Sequence, residues 1–406
     1  MPLLDFLRLN ARWLLAGMLL TLLSSFGQTY FISIFAGHVM EDFQLSHGQW
    51  GGIYTIGTTA SALVMVWAGG LTDRFRARTL GAGVLVLLAA ACLFMAENPA
   101  WYILPLAVFC LRLTGQGMMS QIASVAVSRW FVGARGRALS ISSLGFSLGE
   151  AILPLTFVFL MTLTGWRNLW LLAALIALAA IPVLLGLLRQ ERTPQSFAAG
   201  EQSMGMETRH WTRNQALRHW LFWFMIPALL GPAAFNTAFF FHQVHYAEVK
   251  GWTHLELVSL FPFYTLTAIA AMLASGWALD RFGVERVMPW YQIPLGLAFV
   301  VFAVTPSPGW AMVGLFLMGL TNGGMATMPA TFFATFYGTG HLGSIKALST
   351  AIMVFGSAVG PGLTGALIDL GLALPSQYFG VALYFVMATV LMQIGIRRAR
   401  PLLAAG

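Results

Sequence analysis

Long apolar runs without charges are the feature that most restricts how this chain can fold. The chain has 406 residues, of which 58% are hydrophobic and only 9% are charged. A soluble domain carries about a quarter charged residues, whereas uncharged apolar runs of 18 or more residues are typical of membrane-spanning helices. The composition therefore excludes a soluble globular protein and predicts an all-α integral membrane protein.

The apolar runs predict twelve membrane-spanning helices in two groups of six. Charged or Pro- and Gly-rich breaks separate runs at roughly residues 13–40, 49–71, 79–97, 101–126, 138–163, 168–188, 219–247, 255–279, 288–305, 309–335, 346–371 and 377–396. The longest polar stretch lies between the sixth and seventh runs. We expect an N-terminal six-helix bundle over 1–188, a cytoplasmic linker over 189–218 and a C-terminal six-helix bundle over 219–406.

The positions of the basic residues predict how the helices are oriented. Of the 22 lysines and arginines, all except Arg112, Arg167 and Lys250 lie in loops or tails on the side that carries both termini. Cytoplasmic loops carry such an excess. We therefore expect a multi-pass protein of the cell (inner) membrane with both termini in the cytoplasm. Because topology accounts for the net charge of +8, we expect contact with the lipid bilayer and no nucleic-acid partner.

Two similar charged motifs lie about half a chain apart. GGLTDRFRAR (Gly69–Arg78) and GWALDRFGVER (Gly276–Arg286) each follow the second apolar run of a half, and their aspartates are 207 residues apart. Other similar pairs keep nearly this spacing, namely Gln116-Gly117 with Asn322-Gly323 and Arg137–Ser140 with Lys346–Ser349. Such repetition is typical of secondary transporters, whose site lies near the membrane midplane between the repeats. The predicted fold is therefore two pseudo-symmetric six-helix bundles.

The first motif resembles the signature loop of the major facilitator superfamily. The matching residues are Gly69, Asp73 and Arg74 in the first loop and Gly276, Asp280 and Arg281 in the second. The family usually has a glycine two residues after the arginine, where this chain has Arg76 in the first loop and Gly283 in the second. The resemblance implies that both loops latch the cytoplasmic side during alternating access, with Arg129 as a partner for Asp73. The alternative for the arginines is that they serve topology alone.

Two ionisable residues lie within predicted spans of the first half. A charge at bilayer depth costs about 2.5 to 3.5 kcal/mol on insertion scales, so each is a candidate functional residue. Arg112 lies in the fourth span with Gln116 one turn further on, and its guanidinium offers a fork of donors suited to a carboxylate. Glu150 in the fifth span is a candidate proton carrier. The alternative is structural: Arg112 satisfies backbone carbonyls, or pairs with Glu150 to hold helices together.

Neutral polar residues on three other spans are candidates for binding the solute. They are Gln28 and Tyr30 in the first span, Asn236 and His242 in the seventh, and Asn322 in the tenth. Helices at equivalent places in two repeats line one cavity, although polar side chains also join helices. His242 and His245 have a spacing that permits metal binding, but the sequence offers no third ligand, so we expect neither a metal nor a cofactor.

These patterns predict a secondary transporter that moves a small organic anion, with a carboxylate favoured, by alternating access and with proton coupling. RWFVGARGRALS (Arg129–Ser140) and SSLGFSLGEAILP (Ser142–Pro154) resemble monocarboxylate and oxalate/formate carriers of the superfamily. The expected partners are a small solute and protons, and no oligomer is required. Proton-driven efflux of amphipathic compounds is an alternative. A membrane enzyme or receptor is a more distant one, since the chain has no HExxH motif, no phosphate-binding loop and no sizeable soluble domain.

Overall fold

A computed structural model describes residues 3–69, 71–131, 135–190, 204–338 and 341–403. The chain divides into two compact units, Met1–Ala199 and Gly200–Gly406. Within the described residues, eleven helical stretches are long and apolar enough to cross a membrane. A further 22-residue helix, His47–Ala68, lies where the sequence predicts the second span. The predicted all-α membrane architecture is therefore confirmed.

The first unit contains six long helices in its described part, numbered in chain order. They are α1 (Leu3–Leu23), α2 (His47–Ala68), α3 (Ala77–Ala96), α4 (the consecutive segments Leu104–Leu111, Arg112–Met119 and Ser120–Trp130), α5 (Arg135–Met161) and α6 (Trp166–Leu187). The main packing pairs are α1 with α5, α2 with α4, and α3 with α6. Each helix therefore packs mainly against one that is not its neighbour in the chain.

The second unit repeats this arrangement. Its long described helices are α7 (Trp220–Phe241), α8 (Phe261–Phe282), α9 (Ile293–Val304), α10 (Pro308–Met325 and Met328–Tyr337), α11 (Leu342–Asp369) and α12 (Leu374–Ala399). The main pairs are α7 with α11, α8 with α10, and α9 with α12. The same order of pairs in both units is the structural basis of the repeat in the sequence.

Glycines let the first and fifth helices of each unit approach closely. A methyl group added at Gly145 of α5 would overlap the carbonyl oxygen of Met18, and one added at Gly356 of α11 would lie 2.8 Å from that of Leu230. Small residues serve close packing in membranes in this way. Residues Gly145–Gly149 also match the letters Gly-x-Ser-x-Gly, but they lie inside the continuous helix α5. A nucleophilic serine of a hydrolase instead sits on a strand–turn–helix.

The two basic residues on the predicted outer side each cap the third helix of a unit. Arg167 Nη1 donates to the carbonyl oxygens of Ala96 and Asn98 at 2.8 and 3.0 Å, after α3 ends. Lys250 Nζ donates to those of Ala303 and Thr305 at 2.8 and 3.1 Å, where α9 ends. The last carbonyls of a helix lack helical partners and carry partial negative charge. This capping gives both cations a structural role where the third helix of each unit ends.

Removing either cap should destabilise its unit. We expect Arg167→Gln and Lys250→Met each to cost about 1–3 kcal/mol, because buried carbonyls lose charged donors. The measurement is thermal unfolding of the purified protein in detergent. Arg398→Gln, which removes an exposed cation from the last turn of α12, is the matched control and should cost at most about 0.3–1 kcal/mol. Equal unfolding temperatures for Lys250→Met and Arg398→Gln would contradict a stabilising cap.

The second part of the predicted linker packs into the second unit. Met206 and Trp211 are buried within a hydrophobic cluster that also includes residues of α7, α10 and α12. The backbone N–H of Trp211 donates to the carbonyl oxygen of Tyr337 at 3.0 Å, at the end of α10. Residues 204–218 therefore belong to the packed structure of the second unit, although their sequence is polar.

Candidate functional site

The first membrane helix is interrupted inside its span. α1 ends at Leu23, the chain continues as a 3₁₀ turn over Ser24–Gly27, and Gln28 is extended with φ −86° and ψ 153° before helix resumes at Thr29–Ile32. Such an interruption removes helical hydrogen bonds. In a membrane it is tolerated only where protein or a water-filled cavity satisfies the backbone. The break therefore marks a candidate site.

The middle of α4 packs against this break and is itself irregular. Residues Arg112–Met119 form a π-helix, which is rare and occurs frequently at functional sites. A methyl group added at Gly27 would lie 2.7 Å from the backbone nitrogen of Gln116, and one added at Gly115 would lie 2.6 Å from the Gly27 Cα atom. The two backbones are therefore in direct contact, and only glycine fits at positions 27 and 115.

Arg112 projects from this π-helix onto the break in the first helix. It is 1% exposed. Its Nη1 donates to the carbonyl oxygen of Gly27 at 3.2 Å and to Thr29 Oγ1 at 3.4 Å. Its guanidinium carbon lies 5.3 Å from the centre of the Tyr54 ring. The Nε atom has no hydrogen-bond partner among the described residues. The buried Arg112 guanidinium is thus held through Nη1, while its Nε–H donor makes no described hydrogen bond.

Glu150 is not among the partners that the structure describes for Arg112. This corrects the structural alternative in which the two residues form an ion pair. Glu150 is 9% exposed and lies near the hydroxyl group of Tyr30. That hydroxyl donates to Ser25 Oγ at 2.8 Å, next to the break in the first helix. Glu150 therefore belongs to a separate cluster that touches the same break.

The remaining candidates of the first unit lie around the same two segments. Gln28 is the extended residue of the break and is 8% exposed. Gln116 is half-buried within the π-helix, with its backbone nitrogen against Gly27. The structure thus brings the first-unit candidates to one region.

In the second unit, two predicted residues form a polar network with a third. Asn236 Nδ2 on α7 donates to Asn322 Oδ1 on α10 at 2.5 Å, and Asn322 Nδ2 donates to the Tyr264 hydroxyl at 2.5 Å. The Asn236 side-chain oxygen has no hydrogen-bond partner among the described residues. His242 lies elsewhere, with its Nε2 3.0 Å from the carbonyl oxygen of Pro361. The network therefore joins Asn236 and Asn322 but not His242.

The charged loops are described only in part. The side chains of Asp73, Arg129 and Asp280 lie outside the described residues. Arg74 and Arg281 are exposed. A methyl group added at Gly276 would meet no atom within 4 Å, and one at Gly69 would meet mainly its own helix. Among the described residues, therefore, no other helix comes closer than 3.9 Å to a methyl group at either glycine.

The two loops also differ in backbone, which explains their different sequences. Gly283 has a positive φ of 79°, a region that favours glycine. Arg76, at the equivalent place in the first loop, is extended with φ −68° and ψ 146°. Any residue adopts that conformation, so the first loop does not need the glycine that the family pattern carries.

The fold has two repeated six-helix units, and the first unit holds a buried cation at a helix break. These features are typical of helical membrane transporters. The sequence profile of the Major Facilitator Superfamily matches residues 17–275 and 258–404. The chain therefore belongs to the major facilitator superfamily, a family of secondary transporters and not of enzymes, and it is a multi-pass integral membrane protein.

Individual relatives are distant. The chain is 26% identical over 402 residues to the gallate transporter of Pseudomonas putida, covering 90% of this chain and 87% of that protein. It is 31% identical over 144 residues to the niacin transporter NiaP of Acinetobacter baylyi, covering 34% and 32% respectively. These similarities support the family but do not establish a branch within it.

Solved structures share the fold at low identity. A bacterial homolog of the human lysosomal transporter Spinster, in an inward-facing and unoccupied conformation, matches with a TM-score of 0.73 and 16% identity over 98% of both chains. The nucleoside transporter NupG matches with a TM-score of 0.69 and 13% identity, covering 97% of this chain and 99% of that chain. At such identities the match shows the fold alone.

Proposed function

We propose that the protein moves a small organic anion, a carboxylate, across the cell membrane together with protons. The observation that carries this proposal is Arg112, a permanently charged group at 1% exposure whose Nε has no described partner. Arginine binds carboxylates through two parallel N–H donors, with a geometry that lysine cannot reproduce. A carboxylate would supply both the missing acceptor and the missing negative charge.

The proposed substrate class is a single-ring aromatic carboxylate. Gallate and niacin, which the names of two relatives give as their substrates, are both six-membered rings with one carboxyl group. In this proposal Arg112 binds the carboxylate. The other candidate contacts to the solute are Gln28, Tyr30, Gln116, Asn236, His242 and Asn322. Both termini face the cytoplasm, and the two charged loops latch that side.

Uptake into liposomes tests the substrate class. We expect purified protein to accumulate benzoate, gallate or nicotinate when the outside is more acidic than the inside. Benzamide and nicotinamide, which have nearly the same shape without the charge, should not accumulate and should compete much more weakly than the acids. Uptake of the amides as fast as the acids, or no uptake of any of the acids, would contradict the proposal. Efflux of amphipathic dyes without an effect of the acids would favour the efflux alternative.

Glu150 is the proposed proton carrier, and its removal should separate two activities. We expect Glu150→Gln to abolish accumulation driven by a pH gradient, because an amide cannot bind and release a proton near neutral pH. Exchange of labelled for unlabelled acid should continue, since it needs no net proton movement. Glu97→Gln, at an exposed position, is the control and should behave like wild type. Unaltered pH-driven accumulation in Glu150→Gln would exclude this residue as the carrier.

A further inference from the structure

Tyr54 on α2 contacts Arg112 in two ways. The ring lies under the guanidinium, with 5.3 Å between the guanidinium carbon and the ring centre. The hydroxyl group lies 2.5 Å from Thr29 Oγ1, which in turn accepts a hydrogen bond from Arg112. Tyr54 is fully buried, so its ring cannot move without moving its neighbours. Tyr54 thus holds the Arg112 guanidinium directly through its ring and indirectly through Thr29.

The orientation of the guanidinium decides what it can bind. This group is planar, and a carboxylate needs two adjacent N–H donors in its plane. The protein uses Nη1 for Gly27 and Thr29, while Nε is left without a described partner. The edge that carries Nε is therefore the one that lacks an acceptor, although it is buried in this structure. A buried ring in contact with the guanidinium limits rotation that would turn this edge away.

A similar arrangement occurs in the second unit on the equivalent helices. Tyr264 on α8 accepts a hydrogen bond from Asn322 on α10, which also bonds to Asn236 on α7. Tyr264 follows Tyr54 by 210 residues, and Asn322 follows Arg112 by the same number. The aspartates of the two charged motifs are 207 residues apart. The tyrosine and its partner have therefore shifted together by about one helical turn. The partner of the tyrosine is a cation in the first unit and a neutral amide in the second.

We propose that Tyr54 is a positioning residue that orients Arg112 for a carboxylate, and that Tyr264 orients the Asn322 amide in the same way. The first part rests on the proposed function, because it assigns Arg112 to the solute. It follows that Tyr54 determines the preference for an acid over the corresponding amide. Tyr264, whose partner is neutral, affects both kinds of solute equally.

The test compares Tyr54 with Tyr264, each of which loses only its hydroxyl group when it is replaced by phenylalanine. We expect Tyr54→Phe to raise the KM for benzoate about 3- to 10-fold, since the bond to Thr29 is lost but the ring remains. Tyr54→Leu, which also removes the ring, should raise it about 30-fold or more. Inhibition by benzamide should not weaken in either variant. Tyr264→Phe should leave the ratio of acid to amide affinity unchanged, and a changed ratio there would contradict the division of roles.

Thr29 provides a rescue experiment. Thr29→Ser keeps the hydroxyl group and should retain the wild-type KM, whereas Thr29→Val should raise the KM at least as much as Tyr54→Phe, because it also removes the bond from Arg112. The double variant Tyr54→Phe/Thr29→Val should be no worse than Thr29→Val alone, because the Tyr54 hydroxyl group acts through Thr29. A purely structural role would instead lower the unfolding temperature and leave the ratio of acid to amide affinity unchanged. That outcome would overturn the proposal.

A measurement without any solute separates this proposal from the proposed function. The Nε–H resonance of Arg112, assigned by its loss in Arg112→Gln, reports reorientation of the Nε–H bond through ¹⁵N relaxation in ¹⁵N-arginine-labelled protein. We expect a rigid Nε–H bond in wild type and a more mobile one in Tyr54→Leu. Unchanged mobility would overturn the positioning role even if acids are transported. Greater mobility in a variant of a protein that takes up no acid would support positioning and contradict the carboxylate substrate.

Discussion

Replacing Gly27 with alanine should prevent the first unit from packing normally around the break in its first helix. The added methyl group would lie 2.7 Å from the backbone nitrogen of Gln116 and 2.8 Å from the Gly115 Cα atom. These are backbone atoms, so no side chain can rotate to make room. Overpacking of a well-packed site costs about 1–3 kcal/mol and sometimes more, and we expect at least the upper value. The π-helix and the position of Arg112 would be lost with the contact.

Thermal unfolding and yield of monodisperse protein measure this effect. Gly83→Ala on α3 is the matched control, because a methyl group there would meet no atom within 4 Å. It should be neutral or slightly stabilising, since alanine is about 1 kcal/mol more favourable than glycine in a helix. Gly115→Ala, on the other side of the contact, should resemble Gly27→Ala. Equal unfolding temperatures for Gly27→Ala and Gly83→Ala would show that the two backbones are not in contact.

Arg112→Gln should abolish transport of carboxylates without unfolding the protein. Truncating one partner of a buried hydrogen-bonded charge pair costs about 2–5 kcal/mol, which corresponds to a loss of roughly 30- to several thousand-fold in affinity at about 1.4 kcal/mol per tenfold. Arg112→Lys should not restore transport, because an ammonium group is a point charge and lacks the planar fork. The measurement is uptake of benzoate into liposomes over a range of concentrations.

The unfolding temperature of Arg112→Gln distinguishes binding of the carboxylate from a structural role for Arg112. Burial of a charge costs several kcal/mol, which its removal relieves, whereas the buried carbonyl oxygen of Gly27 loses a charged donor. Because these two effects oppose each other, we expect Arg112→Gln to lower the unfolding temperature less than Arg167→Gln does. Arg398→Gln serves as the control for loss of a positive charge. A large decrease in unfolding temperature with the KM for benzoate retained would assign Arg112 to structure instead.

The membrane architecture could be predicted from the sequence because its causes are local. A bilayer requires about twenty apolar residues in each crossing helix, and this requirement is visible in composition alone. The repeat was also visible, and the structure repeats the same helix pairs in both units. Arg112 could be singled out as a candidate because a charged residue inside an apolar run has few explanations.

The partners of the candidate residues could not be predicted in the same way. Arg112 and Glu150 lie on successive spans, and pairing opposite charges was the simplest expectation, yet Arg112 bonds to Gly27 and Thr29. Tyr54 gave no signal, since a tyrosine in an apolar helix usually serves packing. The spacing of 210 residues between Tyr54 and Tyr264 could have indicated that the two tyrosines are equivalent. It becomes informative only after the contacts in the structure show which tyrosines to compare.

By itself, the sequence determined that this chain is a helical membrane protein built from two related halves, because hydropathy depends on neighbouring residues and the repeat is visible as similar motifs 207 residues apart. Only the tertiary structure decided where the first helix breaks, which carbonyl Arg112 binds and which edge of its guanidinium stays unused. These features depend on the contact between Gly27 and Gly115, which are 88 residues apart. No local pattern specifies that contact, because it exists only once two helices pack backbone against backbone.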